Sequence, residues 1–234
     1  RLRPAWCRVA EEAATPAAGE QPSLPADPPP AWRRALLGRR ATGSWQRRHE
    51  GPELDLDALL RLRVACQIGR AGDDRVHRGR TRRRRIGSAF LLIDRSASTS
   101  APWHGGGMSQ LQAACELAWH TARVLSGTGL ATSIAAFSSN GRHAVAWRPV
   151  QHFGEALAAP CHARLAALRS GGSTRLGAAI RHAARQLAQR RDGERILLVF
   201  SDAQPHDVDV HDPRYLVEDA RHAVRRARRQ GLRV

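Results

Sequence analysis

A run of apolar and small residues, 86–93, continues without a charged residue until it reaches the carboxylate of Asp94. A short apolar run of this kind is typical of a strand that is buried on both faces, as in the middle of a parallel sheet. Parallel strands need crossover connections, which are usually helices. This segment therefore predicts an α/β fold whose strands all end at the same edge of one sheet.

The pattern beyond residue 94 agrees with that prediction. The Asn140-Gly141 pair is a hairpin signal, so the strand after it should pair antiparallel with the strand before it. Apolar spacing predicts helices at residues 108–126, 154–168, 176–189 and 213–230, and strands at 130–137, 142–147, 195–200 and from 232 onward. We therefore predict a doubly wound, mostly parallel, Rossmann-like sheet with helices on both faces and one antiparallel edge strand.

The first 85 residues are predicted to be an N-terminal extension, partly disordered and partly helical, that precedes a domain at 86–234. Residues 15–30 are rich in Pro and small side chains and favour an extended linker. Helical spacing recurs at 31–40 and 54–63. Residues 78–85 carry six Arg in eight positions, which favours a solvated linker, with a docking surface for an acidic partner as the alternative.

Both ends of the chain have the character of cut ends. It begins at Arg1 rather than Met, and residues 232–234 read like the opening of a strand. We expect a longer protein, in which the last strand and helix of the domain follow Val234.

Composition restricts the function classes. The formal net charge is +17, but all 38 basic residues are Arg and Ala and Gly are abundant, which indicates a compositional bias rather than a basic groove. An Arg-rich nucleic-acid-binding protein remains an alternative, although one Tyr and four Phe offer few rings for base stacking. The absence of Lys excludes a P-loop NTPase, a protein kinase and Schiff-base catalysis.

The cysteines and the apolar runs point to the cytoplasm. Cys7, Cys66, Cys115 and Cys161 are far apart and form no C-x-x-C pair, so we expect reduced thiols. The apolar runs are much shorter than the ~20 residues that cross a bilayer. We predict a cytoplasmic protein without membrane insertion.

Oxygen-bearing side chains follow the predicted strands. Asp94, Ser96 and Ser98 come directly after the first strand, Thr174 precedes a helix, and Asp202 follows the strand at 195–200. In a doubly wound sheet, ligands bind at the carboxyl ends of the strands, where the strand order reverses. These five side chains are therefore predicted to meet at one edge of the sheet.

The five side chains suit a hard divalent cation. Carboxylate and hydroxyl oxygens favour Mg²⁺, or Mn²⁺, over zinc or copper. If the three hydroxyls bind directly and the two carboxylates act partly through water, one position stays open for an external carboxylate. We see no catalytic constellation in the sequence and predict that the protein is not an enzyme; an Mg²⁺-dependent hydrolase is the alternative.

The order Asp94-x-Ser96-x-Ser98, then Thr174, then Asp202 resembles the metal-ion-dependent adhesion site of von Willebrand factor type A domains. The flanking sequence is similar to a narrower group, the NorD/CbbO family. The similar stretches are residues 92–99, 137–143, 173–183 and 207–216, with 3–7 in the N-terminal part.

The resemblance implies partners. NorD and CbbO proteins work with MoxR-type hexameric AAA+ ATPases of the NorQ/CbbQ kind, in the maturation of nitric oxide reductase or the reactivation of Rubisco. The metal site of the type A domain is thought to recruit the client, while the ring supplies energy from ATP. The resemblance thus implies a non-catalytic adaptor, and it fits either client.

Two departures from the family pattern concern the metal loops. Arg95 stands where a small or apolar residue is usual, which places a cation beside the loop. Asp202-Ala203-Gln204-Pro205 replaces the usual Asp-Gly-Glu-Pro. Neither departure removes a predicted ligand.

The His and Asp residues between 206 and 212 allow two interpretations. They are either a second metal site or a polar loop before a helix. Pro213 suits a first helical turn and Asp212 suits the cap before it, so we favour the loop.

Overall fold

The computed structural model describes residues 9–12, 44–81, 87–103, 107–191, 193–202 and 204–234. They divide into two compact units, one with residues 9–12 and the chain from 87 onward, the other with residues 44–81. The predicted linker at 15–30, the predicted helix at 31–40 and the end of the Arg-rich run lie outside the described residues.

The elements are numbered in chain order. The strands are β1 (Val9–Glu11), β2 (Ser44–Arg48), β3 (Glu53–Leu54), β4 (His77–Thr81), β5 (Gly87–Asp94), β6 (Ala131–Ser139), β7 (Val145–Gln151) and β8 (Glu194–Phe200). The helices are α1 (Leu56–Gln67), α2 (Gln110–Gly127), α3 (Ala159–Ala166), α4 (Leu176–Ala188) and α5 (Pro213–Arg229), with a 3₁₀ turn at Ala97–Ser100.

The larger unit is built on a five-stranded sheet with the order β1-β7-β6-β5-β8. Strand β5 runs parallel to both β6 and β8, whereas β7 is antiparallel to β6. The chain therefore adds β6 and β7 on one side of β5 and then crosses to the other side with β8, so that the strand order reverses at β5. This topology confirms the predicted doubly wound, mostly parallel fold.

The antiparallel strand is not at the edge of the sheet, because β1 pairs with it in parallel. Strand β1 lies in the segment that we assigned to the extension, so a short N-terminal piece belongs to the large sheet. On the other side of the sheet, Arg233 forms a parallel bridge with Ile196. The strand predicted from 232 onward is therefore present as a single bridge.

Strand β5 is buried on both faces along its whole length, which explains why its residues are apolar or small. Leu91 and Ile93 join the core under α2, which includes Trp119. Phe90 and Leu92 join the core under α4, which includes Ile180. Neither face tolerates a charged residue until the strand ends.

Strand β7 and helix α3 begin later in the chain than the sequence predicted. Asn140 N donates to Ala144 O at 2.8 Å, and Gly141 has a φ of +74°, as a tight turn requires. The paired strand is then 145–151 rather than 142–147. Helix α3 spans 159–166 rather than 154–168, because Pro160 fits only the first helical turn and Gly154 has a φ of +88°.

The smaller unit contains a three-stranded antiparallel sheet with the order β2-β4-β3, together with α1. Helix α1 confirms the helix predicted at 54–63 and is capped by Asp55, which accepts from Ala58 N at 3.2 Å. The linker predicted at 78–85 is wrong for its first residues, because 78–81 lie in β4. Arg alternates with Gly and Thr there, so this segment has no apolar alternation from which a strand could be predicted.

Within the described residues, we find no helix with the length and apolar character needed to span a membrane. Cys66, Cys115 and Cys161 are free thiols, and burial raises the pKa of Cys115 to about 12. Cys7 lies outside the described residues.

The contact between α4 and α5 gives a test of the fold. A Cβ at Gly177 would lie 2.9 Å from the backbone carbon of Asp219. We expect Gly177→Ala to lower the free energy of unfolding by about 1–3 kcal/mol by forcing the helices apart, although Ala favours a helix by about 1 kcal/mol. Urea denaturation measures the difference.

Gly127→Ala, at the end of α2, is the matched control. Apart from the neighbouring backbone of its own helix, a Cβ at Gly127 would meet no heavy atom within 4 Å, and Gly127 is not among the glycines with positive φ. We expect unchanged or slightly raised stability. If the two substitutions change the free energy of unfolding equally, the expected clash between α4 and α5 at Gly177 is refuted.

Candidate metal site

Four of the five predicted donors are joined directly at the carboxyl edge of the sheet. Asp94 is the last residue of β5, and its Oδ1 accepts from Ser96 N at 2.9 Å and from Thr174 Oγ1 at 3.4 Å. The hydroxyls of Ser96 and Ser98 lie 3.0 Å apart. Asp94, Ser96 and Thr174 are buried, whereas Ser98 is exposed, so the group reaches from the core to the surface.

Asp202 follows β8, the strand next to β5. Its side chain is half-buried, and its Oδ1 accepts from Gln204 N at 3.1 Å. Its charge acts on Asp94, because it is one of the causes that raise the pKa of Asp94. The structure therefore brings the two carboxylates close enough to interact.

The electrostatics of Asp94 are those of a buried carboxylate. Burial is the main cause that raises its pKa, and the charge of Asp202 adds to it. Hydrogen bonds from Ser201 Oγ, at 2.7 Å, and from Ser96 act in the opposite direction. Removal from water disfavours the ionised form of a carboxylate, so a cation in contact with it would offset that cost.

Backbone hydrogen bonds hold the loops of the site together. Ala97 N donates to Gly172 O at 2.9 Å, and Gly171 N donates to Arg95 O at 2.8 Å. Gly172 has a φ of +76°, and a Cβ there would lie 2.8 Å from Ser139 O. Only glycine fits both the conformation and the space, so this residue allows the loop before Thr174 to lie against the loop after β5.

The 3₁₀ turn after Ser96 arranges the hydroxyls. Thr99 Oγ1 donates to Ser96 O at 2.7 Å and lies 3.1 Å from Ser170 Oγ. Thr99 is buried, so it anchors the turn from below. Ser98, one residue earlier, is left at the surface.

Arg95 forms its hydrogen bond and its ion pair with residues that are not among the predicted donors. Its Nη1 donates to Arg169 O at 3.2 Å, and its Nη2 lies 3.7 Å from Glu12 Oε2. Glu12 also pairs with Arg148 at 2.9 Å. The cation that we expected beside the metal loop therefore bonds to the end of β1 and to the loop after α3.

The donors fit the expected group. They are two carboxylates and three hydroxyls, a set of hard oxygens that suits Mg²⁺ or Mn²⁺. In the described parts of the chain, no group of three or more His, Cys, Asp or Glu side chains is placed to hold a metal. Any cation at this edge would therefore depend on the hydroxyls of Ser96, Ser98 and Thr174.

The 206–212 segment is a polar loop, as favoured from the sequence. Asp207 accepts from Arg175 Nε at 2.7 Å, and Asp209 also pairs with Arg175. Asp212 caps α5 by accepting from Arg214 N at 2.9 Å. The acidic residues of this segment are therefore engaged in ion pairs and in a helix cap.

Sequence reasoning did not single out Ser201, which donates to Asp94, or the buried ion pair of Arg175 and Asp207 next to Thr174. Ser201 and Arg175 are adjacent in sequence to the predicted donors Asp202 and Thr174, so their positions offered a local signal. Asp207 offered none, because its partner Ser139 lies far away in the chain. Only the fold brings these two residues together.

Comparison with known proteins agrees with the fold. Residues 90–234 match the model of the von Willebrand factor type A domain. The chain is 36% identical to NorD of Brucella suis over 185 residues, which is 79% of this chain and 29% of that protein. It is 32% identical to NorD of Stutzerimonas stutzeri over 201 residues, or 86% of this chain and 33% of that protein.

An uncharacterized protein of Pseudomonas aeruginosa is 34% identical over 183 residues, 78% of this chain and 30% of that protein. The chain thus spans about a third of the length of these relatives. It belongs to the von Willebrand factor type A domain family and is, as the sequence motifs indicated, a NorD-like member of it.

Proposed function

We propose that the large unit is a protein-interaction module that holds Mg²⁺, or Mn²⁺, through Asp94, Ser96, Ser98, Thr174 and Asp202, and that the cation takes a carboxylate from a client protein. The observation that carries the proposal is the convergence of Asp94, Ser96, Ser98 and Thr174 at the edge of the sheet where the strand order reverses. The exposure of Ser98 supports an opening toward a partner.

The use of the hydroxyls supports a binding role over the hydrolase alternative. A hydrolase with a bound Mg²⁺ needs a nucleophile or an acid-base group beside the ion. Here the hydroxyls of Ser96 and Ser98 lie in contact with each other, and Thr174 Oγ1 donates to Asp94. Each of the three hydroxyls therefore contacts another proposed ligand, which supports a role as ligands rather than as an attacking group.

The similarity to NorD proteins supports an accessory role. We propose that the chain is a non-catalytic adaptor that links a client to a MoxR-type hexameric AAA+ ATPase ring of the NorQ/CbbQ kind. The client would be nitric oxide reductase or Rubisco, as in the two branches of the family. The complex would act in the cytoplasm.

The melting temperature of the protein, measured with and without Mg²⁺, tests whether the cation binds. At a concentration of Mg²⁺ 100 times its Kd, binding stabilises the fold by about 2.7 kcal/mol, which raises the Tm of a domain of this size by roughly 5–10 °C. We expect this rise in the wild type and its loss in Asp94→Asn, which removes the buried carboxylate but keeps its shape. In EDTA the variant should be about as stable as the wild type, because it no longer buries a charge.

Ser100→Ala is the matched control for that experiment. Ser100 lies in the same 3₁₀ turn, but its Oγ donates to Ala97 O at 2.7 Å and is not one of the proposed ligands. The rise in Tm should persist in this variant. A wild type whose Tm does not respond to Mg²⁺ or Mn²⁺ would contradict the proposed metal site.

Client recruitment is tested by a pull-down of purified ring, client and this protein. We expect EDTA or Asp94→Ala to lower client capture more than about tenfold, equivalent to about 1.4 kcal/mol, because the client carboxylate loses its cation. Ring binding should be unchanged in Asp94→Ala. Client capture that is indifferent to both treatments would refute metal-dependent recruitment, while Ser100→Ala should behave as the wild type.

A further inference from the structure

Asp207 lies outside the donor set, yet it is almost completely buried where three loops meet. Its Oδ2 accepts from Ser139 Oγ at 2.9 Å and from Arg175 Nε at 2.7 Å. Its Oδ1 accepts from Gly141 N at 2.7 Å and from Val208 N at 2.8 Å. One carboxylate thus joins the β6–β7 turn, the start of α4 and the loop that leads to α5.

Arg175 is the other half of this connection. It directly follows Thr174, stands at the N-terminal cap of α4, and its side chain is 5% exposed. Its guanidinium pairs with Asp207 and with Asp209, and Asp209 Oδ2 accepts from Arg142 N at 2.9 Å. Only the planar fork of an Arg side chain can hold two carboxylates in this way.

Thr174 is fixed by the same loops. Its backbone N donates to His206 O at 2.7 Å, one residue before Asp207. Ser173 and Ser139 exchange two backbone hydrogen bonds of 2.7 Å. The resulting contact from Thr174 Oγ1 to Asp94 Oδ1 is long, at 3.4 Å, so a small movement of this loop would withdraw the hydroxyl from the donor set.

We propose that Arg175 and Asp207 are positioning residues of the metal site. They hold Thr174 Oγ1 against Asp94 and so set the affinity for the cation. This inference rests on the proposed function. Stability alone is a weak reason for such a pair, since a buried ion pair is often no more stable than well-packed apolar residues of the same volume. Its place next to a proposed ligand gives it a specific role.

The test measures the affinity of EDTA-treated protein for Mg²⁺ by calorimetric titration, with the urea midpoint in EDTA measured in parallel. Residues that orient a metal ligand typically change metal affinity by about 10–100-fold. We expect losses in that range for Arg175→Ala and Asp207→Asn. Arg175→Lys should lose less, because it keeps the charge but replaces the planar fork with a single ammonium nitrogen.

Two controls separate positioning from folding. Leu187→Ala opens a fully buried site at the far end of α4, so it should lower the urea midpoint while Mg²⁺ affinity stays as in the wild type. Arg142→Ala removes an exposed partner of Asp209 but keeps the backbone N–H, and should change neither quantity.

The outcomes are distinct. If Arg175→Ala and Asp207→Asn lower the urea midpoint as Leu187→Ala does but bind Mg²⁺ like the wild type, the positioning role is refuted and the proposed function stands. A wild type that binds no Mg²⁺ overturns both. Should the two stronger variants fail to fold, Arg175→Lys decides: weakened Mg²⁺ binding supports the role, and wild-type affinity refutes it.

Discussion

Burial of Asp94 at the end of β5 is the constraint on which the other features of the larger unit depend. Strands pair with β5 on both sides and helices cover both of its faces, so its last side chain cannot reach bulk water. Burial raises the pKa of a carboxylate in that position, so its ionised form needs hydrogen-bond donors close by. Ser96 and Ser201 supply them, and Thr174 comes from a third segment.

The parts of this arrangement that the sequence predicts are local ones. The uninterrupted run of β5, the amphipathic spacing of α2, α4 and α5, and the Asp-x-Ser-x-Ser string are each written in one short segment. Helix α4 leads into β8, which is parallel to β5, so α4 must begin at the carboxyl edge of the sheet; this explains why Thr174, just before α4, approaches Asp94. The convergence of the first four donors was therefore predictable before any coordinates were known.

The parts that the sequence did not predict depend on distant contacts. Strand β1 has three residues, and its identity as a strand comes from pairing with β7. Strands β2, β3 and β4 are short and mostly polar, so they carry no apolar alternation. Asp207 reads as one acid among several, and its burial follows only from the meeting of three loops.

The exclusive use of Arg has a structural consequence. Arg181 joins α4 to α5 with two parallel bonds to Asp219, of 2.7 and 3.0 Å, and Arg175 joins two loop carboxylates to the start of α4. A Lys side chain would offer one point charge at each place. The planar guanidinium group thus connects the two helices at Arg181 and holds the loop of Thr174 at Arg175. The proposed cation would be bound mainly by neutral hydroxyls fixed in this way, and would therefore attract a carboxylate from a partner more strongly than it would in a site of several acids.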